Sequence, residues 1–150
     1  MSSKLITNLS NIRKVNKSKI VLCHGVFDLL HIGHINYFEA AKKNGNILVV
    51  SITSNEFVNK GPGRPAFNIQ QRLNCVSALE IVDYVYVSEN ETAIDIIKQL
   101  QPNFYCKGLD YYDKPNDLNL KKEINQLKKN KRKGIFKIVD TKLFSSSKVI

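Results

Sequence analysis

Five short apolar runs recur along the chain, each pair separated by enough residues for a helix: 20–23, 47–50, 84–87, 104–106 and 135–139. Most lack the polar alternation of a strand that meets water on one face. Unbroken runs suit strands buried on both faces of a parallel sheet. Parallel neighbours need crossovers, and four helical patterns lie between the runs. Residues 34–43 place Ile35, Phe38 and Ala41 on one side. Ile69, Leu73, Val76 and Leu79 form a second stripe, with Asn68 as N-cap and Gln71 three residues on. Thr92 is expected to cap a third helix carrying Ile94, Ile97 and Leu100, with Pro102 just beyond its end. Leu120, Ile124 and Leu127 are the apolar face of a highly charged fourth. The order predicts an α/β fold, a doubly wound five-stranded parallel sheet with right-handed crossovers. Ligands of such sheets bind beyond the strand C-termini, at the switch point.

The 150 residues suit one domain. Residues 1–18 read as a polar N-terminal segment and 19–150 as the domain proper. No apolar run approaches the roughly 18 residues of a membrane span, and 1–19 contains no apolar block of signal-peptide type. A soluble, cytoplasmic protein is expected. Cys23 and Cys106 sit in strand-like runs and Cys75 in a helical one, without CxxC spacing. Buried, reduced thiols are expected. The net charge of +10 suits anionic partners. Its densest block, 128–133, reads as a solvated helix end and turn, with Gly134 ending the helix. No aromatic-basic interleaving of an RNA-binding motif is present, so nucleic acid is not expected as a partner; a membrane partner is not expected either.

All three histidines fall in "CHGVFDLLHIGH", residues 23–34, where the first strand passes into the first helix. Three imidazoles could hold zinc, but no fourth ligand stands at an obvious spacing. His31 and His34 could be polar turn residues. A third reading uses the whole stretch. Gly25 lets a ligand approach the backbone, and Gly33 keeps the space between two imidazoles clear. A helix starting near Gly33 or His34 aims N–H groups and its positive dipole end at the same place. That is an anion site with His31 and His34 on its wall, and His24 a bystander at the strand end.

Gly25-x-Phe27-Asp28-x-x-His31-x-Gly33-His34 resembles the signature of the cytidylyltransferase-like branch of the HxGH nucleotidyltransferases. "GPGRPAFNIQQR" (61–72), "ALEIVDYV" (78–85) and "YCKGLDY" (105–111) are similar, in order, to segments of the heptose-phosphate adenylyltransferases. "FSSSKVI" (144–150) resembles the family's C-terminal Ser/Thr motif. Glycerol-3-phosphate cytidylyltransferases share the first and last motifs.

The resemblance implies a Rossmann-like nucleotidyltransferase fold. It implies transfer of a nucleoside monophosphate from ATP or CTP to a phosphorylated sugar or polyol, with Mg²⁺ carried by the triphosphate and no protein metal site. His31, His34 and Lys60 would be catalytic. Gly25, Val26, Phe27, Asp28, Gly33, Arg72, Lys107, Gly108, Asp110, Ser145, Ser146 and Ser147 would bind nucleotide, and Arg64 the acceptor phosphate. Lys107 is expected to be the more exposed member of its segment. Asp28 would order the turn or orient a site group. The resemblance also implies a homodimer and a possible fusion to a sugar-kinase domain, with this chain a part of something longer. The alternatives are a CTP-dependent enzyme acting on glycerol-3-phosphate or a similar small alcohol, and a nucleotide- or nucleic-acid-binding module without catalysis.

Overall fold

A computed structural model describes residues 3–58, 61–111 and 117–141. Five strands form one sheet: β1 (Ile20–Gly25), β2 (Ile47–Thr53), β3 (Tyr84–Ser88), β4 (Phe104–Lys107) and β5 (Ile135–Ile138). Their spatial order is β3-β2-β1-β4-β5, with every neighbouring pair parallel. The doubly wound sheet predicted from the apolar runs is the observed one. Along β1, Val21 and Cys23 face one core while Ile20 and Leu22 face the other, which is why its sequence shows no polar alternation. Helices α2 (Ile32–Lys42) and α3 (Ile69–Ser77) cover the first face, and α4 (Ile94–Leu100) and α5 (Leu118–Lys129) the second.

Two elements differ from the sequence expectation. The polar N-terminal segment contains a helix, α1 (Leu9–Val15), whose Leu9 and Ile12 are buried in the second core beside α4. Only two of its seven residues face inward, too few for a visible stripe. Arg13 ties it down, donating from Nε to the Leu100 carbonyl (3.3 Å) and from Nη2 to Asn103 Oδ1 (2.7 Å). Just before it, Leu5 bridges to Val85 and covers the outer edge of β3, which would otherwise present unpaired backbone groups. The second difference is the start of α4. Its N-cap is Ala93, not Thr92, and Ala93 N–H donates to the buried Glu123 Oε2 of α5 at 2.8 Å. A carboxylate from another helix replaces the local cap.

The cap expected at Asn68 is present. Its side chain accepts from Gln71 N–H, while Gln71 accepts from Asn68 N–H. The cysteines are free, with Cys23 and Cys106 buried, but Cys75 is exposed because it lies on the outer side of α3.

If α1 is part of the core, Leu9→Ala leaves a cavity at a fully buried site and lowers stability by about 2–5 kcal/mol. Urea unfolding measures this; a loss under ~1 kcal/mol would show that α1 adds little to the core.

Candidate active site

The first helix after β1 begins with a paired hydrogen bond made by two histidines. His31 is the N-cap of α2, in extended backbone, and its Nδ1 accepts from Gly33 N–H at 3.0 Å. His34 Nδ1 accepts in return from His31 N–H at 3.2 Å. This is a capping box with imidazoles in place of the usual hydroxyl and carboxylate. Because each Nδ1 accepts from a backbone N–H, the proton of each neutral ring sits on Nε2. The rings lie 4.1 Å apart between centroids and both line one cavity. Two Nε2–H donors therefore stand at one helix N-terminus, where Gly33 N–H is given to His31 Nδ1 and His34 N–H to the His31 carbonyl (2.9 Å).

Two glycines make this possible. A Cβ on Gly33 would lie 2.7 Å from His31 Cε1, so the His31 ring can fold onto its helix only over a residue without a side chain. A Cβ on Gly25 would lie 2.9 Å from the Phe27 ring. A side chain at Gly25 would thus displace the Phe27 ring, while Gly25 itself lines the cavity. Phe27 adopts a left-handed backbone (φ 51°), uncommon for a bulky residue. Its ring meets His34 edge-on at 5.5 Å between centroids and so backs that imidazole.

The cavity has a volume of about 640 Å³ and sits over the C-terminal ends of β1 and β4, the switch point of the sheet. Gly25, Val26, Phe27, His31, Gly33, His34, Lys107, Gly108 and Asp110 all line it. Lys107 is buried, not the exposed group expected. Its ammonium donates to the His24 carbonyl at 2.7 Å and lies 4.8 Å from the Tyr111 ring centroid. Burial pulls its pKa below the usual lysine value, while Glu123, Cys23, Asp110 and Asp117 oppose the shift.

His24, set aside in the sequence as a bystander, is part of the same wall. Its Nδ1 lies 2.7 Å from Ser51 Oγ and its Nε2 3.5 Å from the Glu91 carbonyl. The carbonyl can only accept, so Nε2 carries the proton and Ser51 donates to Nδ1. Burial first, then the charge of Lys107, push its pKa down to about 3. The wall also includes Thr53, Glu91, Tyr111, Asp117, Asn119 and Glu123. Their positions depend on which loops meet above the sheet, and no local motif in the sequence marks most of them. Among the described residues, no group of three or more His, Cys, Asp or Glu is placed to hold a metal ion.

Asp28 and Arg72, two of the expected nucleotide-binding residues, form a supporting layer, and Arg64 is tied to it. Asp28 accepts from Ala66 N–H (2.7 Å), Phe67 N–H (2.8 Å) and Arg64 Nη1 (3.0 Å). Desolvation pushes its pKa up, but these donors outweigh it and hold the carboxyl below its usual value. Asp28 therefore orders the loop before α3, one of the two roles expected for it. Arg64, about half exposed, is the surface end of that ion pair. Arg72 is not on the cavity wall. It is 1 % exposed and donates to the carbonyls of Phe67, Val26 and Thr53 and to Asn55 Oδ1. Four oxygens, one from the β1–α2 connection and three from the end of β2 and the stretch leading to α3, meet one guanidinium, which leaves it no approach to a nucleotide. Lys60, Ser145, Ser146 and Ser147 lie outside the described residues.

Comparison with known proteins follows the same lines. Residues 22–150 match the family described as Cytidylyltransferase-like. The bifunctional protein HldE of Helicobacter acinonychis (strain Sheeba) is 40% identical over 111 residues, covering 73% of this chain and 24% of that protein. HldE of Campylobacter fetus is 39% identical over 113 residues, 73% of this chain and 25% of that one. The chain thus spans about a quarter of the length of these curated relatives. The crystal structure of the lipopolysaccharide core biosynthesis protein from Thermoplasma volcanium GSS1 superposes with a TM-score of 0.65 at 30% identity, over 81% of this chain and 96% of that one. A pantoate-beta-alanine ligase from Francisella tularensis, at 17% identity over 91% of this chain and 66% of that one, shares the fold with a TM-score of 0.60.

Two outcomes follow from the supporting layer and the buried imidazole. Arg72→Ala leaves buried carbonyls without donors, each costing about 1–3 kcal/mol. A total loss of ~3 kcal/mol or more in urea unfolding is expected; a loss below ~1 kcal/mol would contradict the clamp. His24 has a folded pKa near 3 against an ordinary 6.5, so the unfolded chain binds the extra proton between those values. Stability conferred by neutral His24 is complete above 6.5 and falls with pH, by about 1.4 kcal/mol per unit. Subtracting the acid-range slope of His24→Gln from that of the wild type should isolate this single proton, and equal slopes would refute it.

Proposed function

The chain belongs to the Cytidylyltransferase-like family, and from that premise we propose that it transfers a nucleoside monophosphate from ATP or CTP to a sugar phosphate, releasing pyrophosphate. The observation that carries this reading is the pair of Nε2–H donors at the start of α2. A phosphate monoester has a second pKa near 6, so the acceptor is largely dianionic at neutral pH and needs little help from a base. One of its oxygens attacks the α-phosphorus. The bond from that phosphorus to the α,β-bridging oxygen breaks, and pyrophosphate departs with the electron pair. No proton need move. The obstacle is electrostatic, because two anions meet and charge gathers on the phosphorus and on the leaving group.

The site is built for that obstacle. His31 and His34 offer neutral N–H donors already oriented by their capping bonds, so little reorganisation accompanies reaction. Phe27 holds His34 from behind. Lys107, anchored on the His24 carbonyl, adds a positive charge between β1 and β4. The triphosphate enters as its Mg²⁺ complex, the metal travelling with the substrate. Lys60 and Ser145, Ser146 and Ser147 are assigned to the β- and γ-phosphates, Gly108 and Asp110 to the base and ribose, and Arg64 to the acceptor phosphate. These assignments rest on the motif resemblance. The likeness to the HldE relatives and to segments 61–72 and 105–111 of the heptose-phosphate adenylyltransferases supports a sugar phosphate over glycerol-3-phosphate. That these relatives are named bifunctional is in keeping with the fusion to a sugar-kinase domain that the motif resemblance implies.

Pyrophosphate release, screened over four nucleoside triphosphates crossed with sugar and polyol phosphates including glycerol-3-phosphate, tests the reading. Release is expected with ATP or CTP and a sugar phosphate; release with glycerol-3-phosphate alone would move the chain to the other enzyme class. His34→Asn keeps an acceptor near His31 N–H and removes the Nε2–H donor. Turnover should fall about 10²–10³-fold with the melting temperature little changed, and near-normal turnover would sink the assignment.

A further inference from the structure

Three stretches far apart in the chain carry cations and no carboxylate: 9–20, 96–103 and 124–136. The fold brings them together at the N-terminal edge of the sheet, where α1, α4 and α5 end, opposite the cavity. Arg13 reaches Leu100 and Asn103, Asn130 Nδ2 donates to the Ile97 carbonyl at 3.0 Å, and Arg132 N–H donates to Gln101 Oε1 at 3.1 Å. From the first stretch come the exposed Lys14, Lys17 and Lys19 and the partly buried Arg13; from the second comes Lys98. The third adds Lys128, Lys129, Lys131, Arg132 and Lys133, all exposed. Neither of the two ion pairs among the described residues, Lys42–Asp83 and Arg64–Asp28, includes any of these ten cations. An open hollow of about 570 Å³ separates Arg13 and Gln101 from Lys131 and Arg132.

Helix dipoles account for part of this. Each helix C-terminus carries roughly half a negative charge, so three ends offset about 1.5 charges against ten cations. The rest repel one another; burial and then Arg132 push the Arg13 pKa down to about 10. Such a surplus adds nothing to the fold. We propose that this face docks the protein on an anionic lipid surface, with the cavity at the far end of the sheet facing away from the bilayer.

The composition of the face favours lipid over nucleic acid. Eight of the ten cations are lysines, and the guanidinium of Arg13 is bonded to the protein's own carbonyls and to Asn103. Diffuse ammonium charges suit a headgroup layer; forked, bidentate recognition of phosphate is the province of arginine. The large apolar side chains exposed beside them are aliphatic, Val15 (66%) at the end of α1 and Ile135 (54%) at the start of β5. Aliphatic tips enter a membrane interface, whereas single-stranded nucleic acid is held by aromatic stacking.

Flotation of the chain with vesicles of phosphatidylcholine, alone or mixed with phosphatidylglycerol, tests this. Binding is expected only to the anionic vesicles and is expected to weaken with salt. The variant K14Q/K17Q/K128Q/K129Q should lose at least about a hundredfold in partitioning, since each lysine near an anionic leaflet is worth roughly fivefold. Its melting temperature should hold or rise, as repulsion is relieved, and its pyrophosphate release should not change. V15S/I135S should weaken vesicle binding several-fold and leave binding to a random DNA duplex unaltered. The proposal is overturned by absence of flotation with anionic vesicles or by full binding of the four-glutamine variant. It is also overturned by unchanged partitioning of V15S/I135S, or by tighter binding to the duplex than to vesicles at equal salt, which assigns the face to nucleic acid.

Discussion

β1 lies at the centre of the sheet, and the chain leaves it and its neighbour β4 in opposite directions. From β1 it crosses through α2 to β2; from β4 it crosses through α5 to β5. The two connections fold onto opposite faces, so neither closes over the C-terminal ends of β1 and β4. A crevice is unavoidable there, and the residues ending those strands form its floor. His24 is the last residue but one of β1 and Lys107 ends β4, and the bond from the Lys107 ammonium to the His24 carbonyl joins the two strands where their ladder stops. The rest of the site is placed relative to that seam.

The side chains on the cavity wall are held by others beneath it. A buried guanidinium is costly unless its donors are met, and Arg72 is bonded to four oxygens. Val26 follows β1, whereas Thr53 ends β2 and Asn55 and Phe67 lie between β2 and α3, so satisfying one side chain fixes these two connections against each other. Asp28 acts similarly from the other sign of charge, gathering two backbone N–H groups and Arg64. One residue beyond Val26, Phe27 takes its strained backbone and presses against His34. The precision of the imidazole pair thus originates partly in residues that touch no ligand.

Much of this was legible in the sequence, for reasons that differ by element. The sheet was legible because strands buried on both faces must be apolar throughout. The start of α2 was legible because capping and anion binding use the same few residues at fixed spacing. Arg72 and Lys107 were legible as special positions but not as buried ones: a motif marks a charged residue without showing how many of the protein's own carbonyls surround it. α1 was missed because a two-residue apolar face leaves no period to detect. The cap of α4 was missed because Glu123 reaches Ala93 across thirty residues, and local patterns contain nothing of such distances.

The parallel sheet also separates charge along the molecule. Each crossover helix runs against the strands, so it begins near the cavity and ends near the opposite edge of the sheet; α1, which precedes β1, ends at that edge too. Positive helix ends therefore gather at the cavity, where phosphates would sit, and negative ends gather at the far side. Cations at that far side are the complement expected of any α/β protein, one or two per helix. Ten of them around three short helices is a different quantity. The excess has no carboxylate within its own stretches to neutralise it, and it lies at the greatest distance from the cavity that the fold allows. A negatively charged surface bound there would screen the repulsion without competing for the phosphates at the other end.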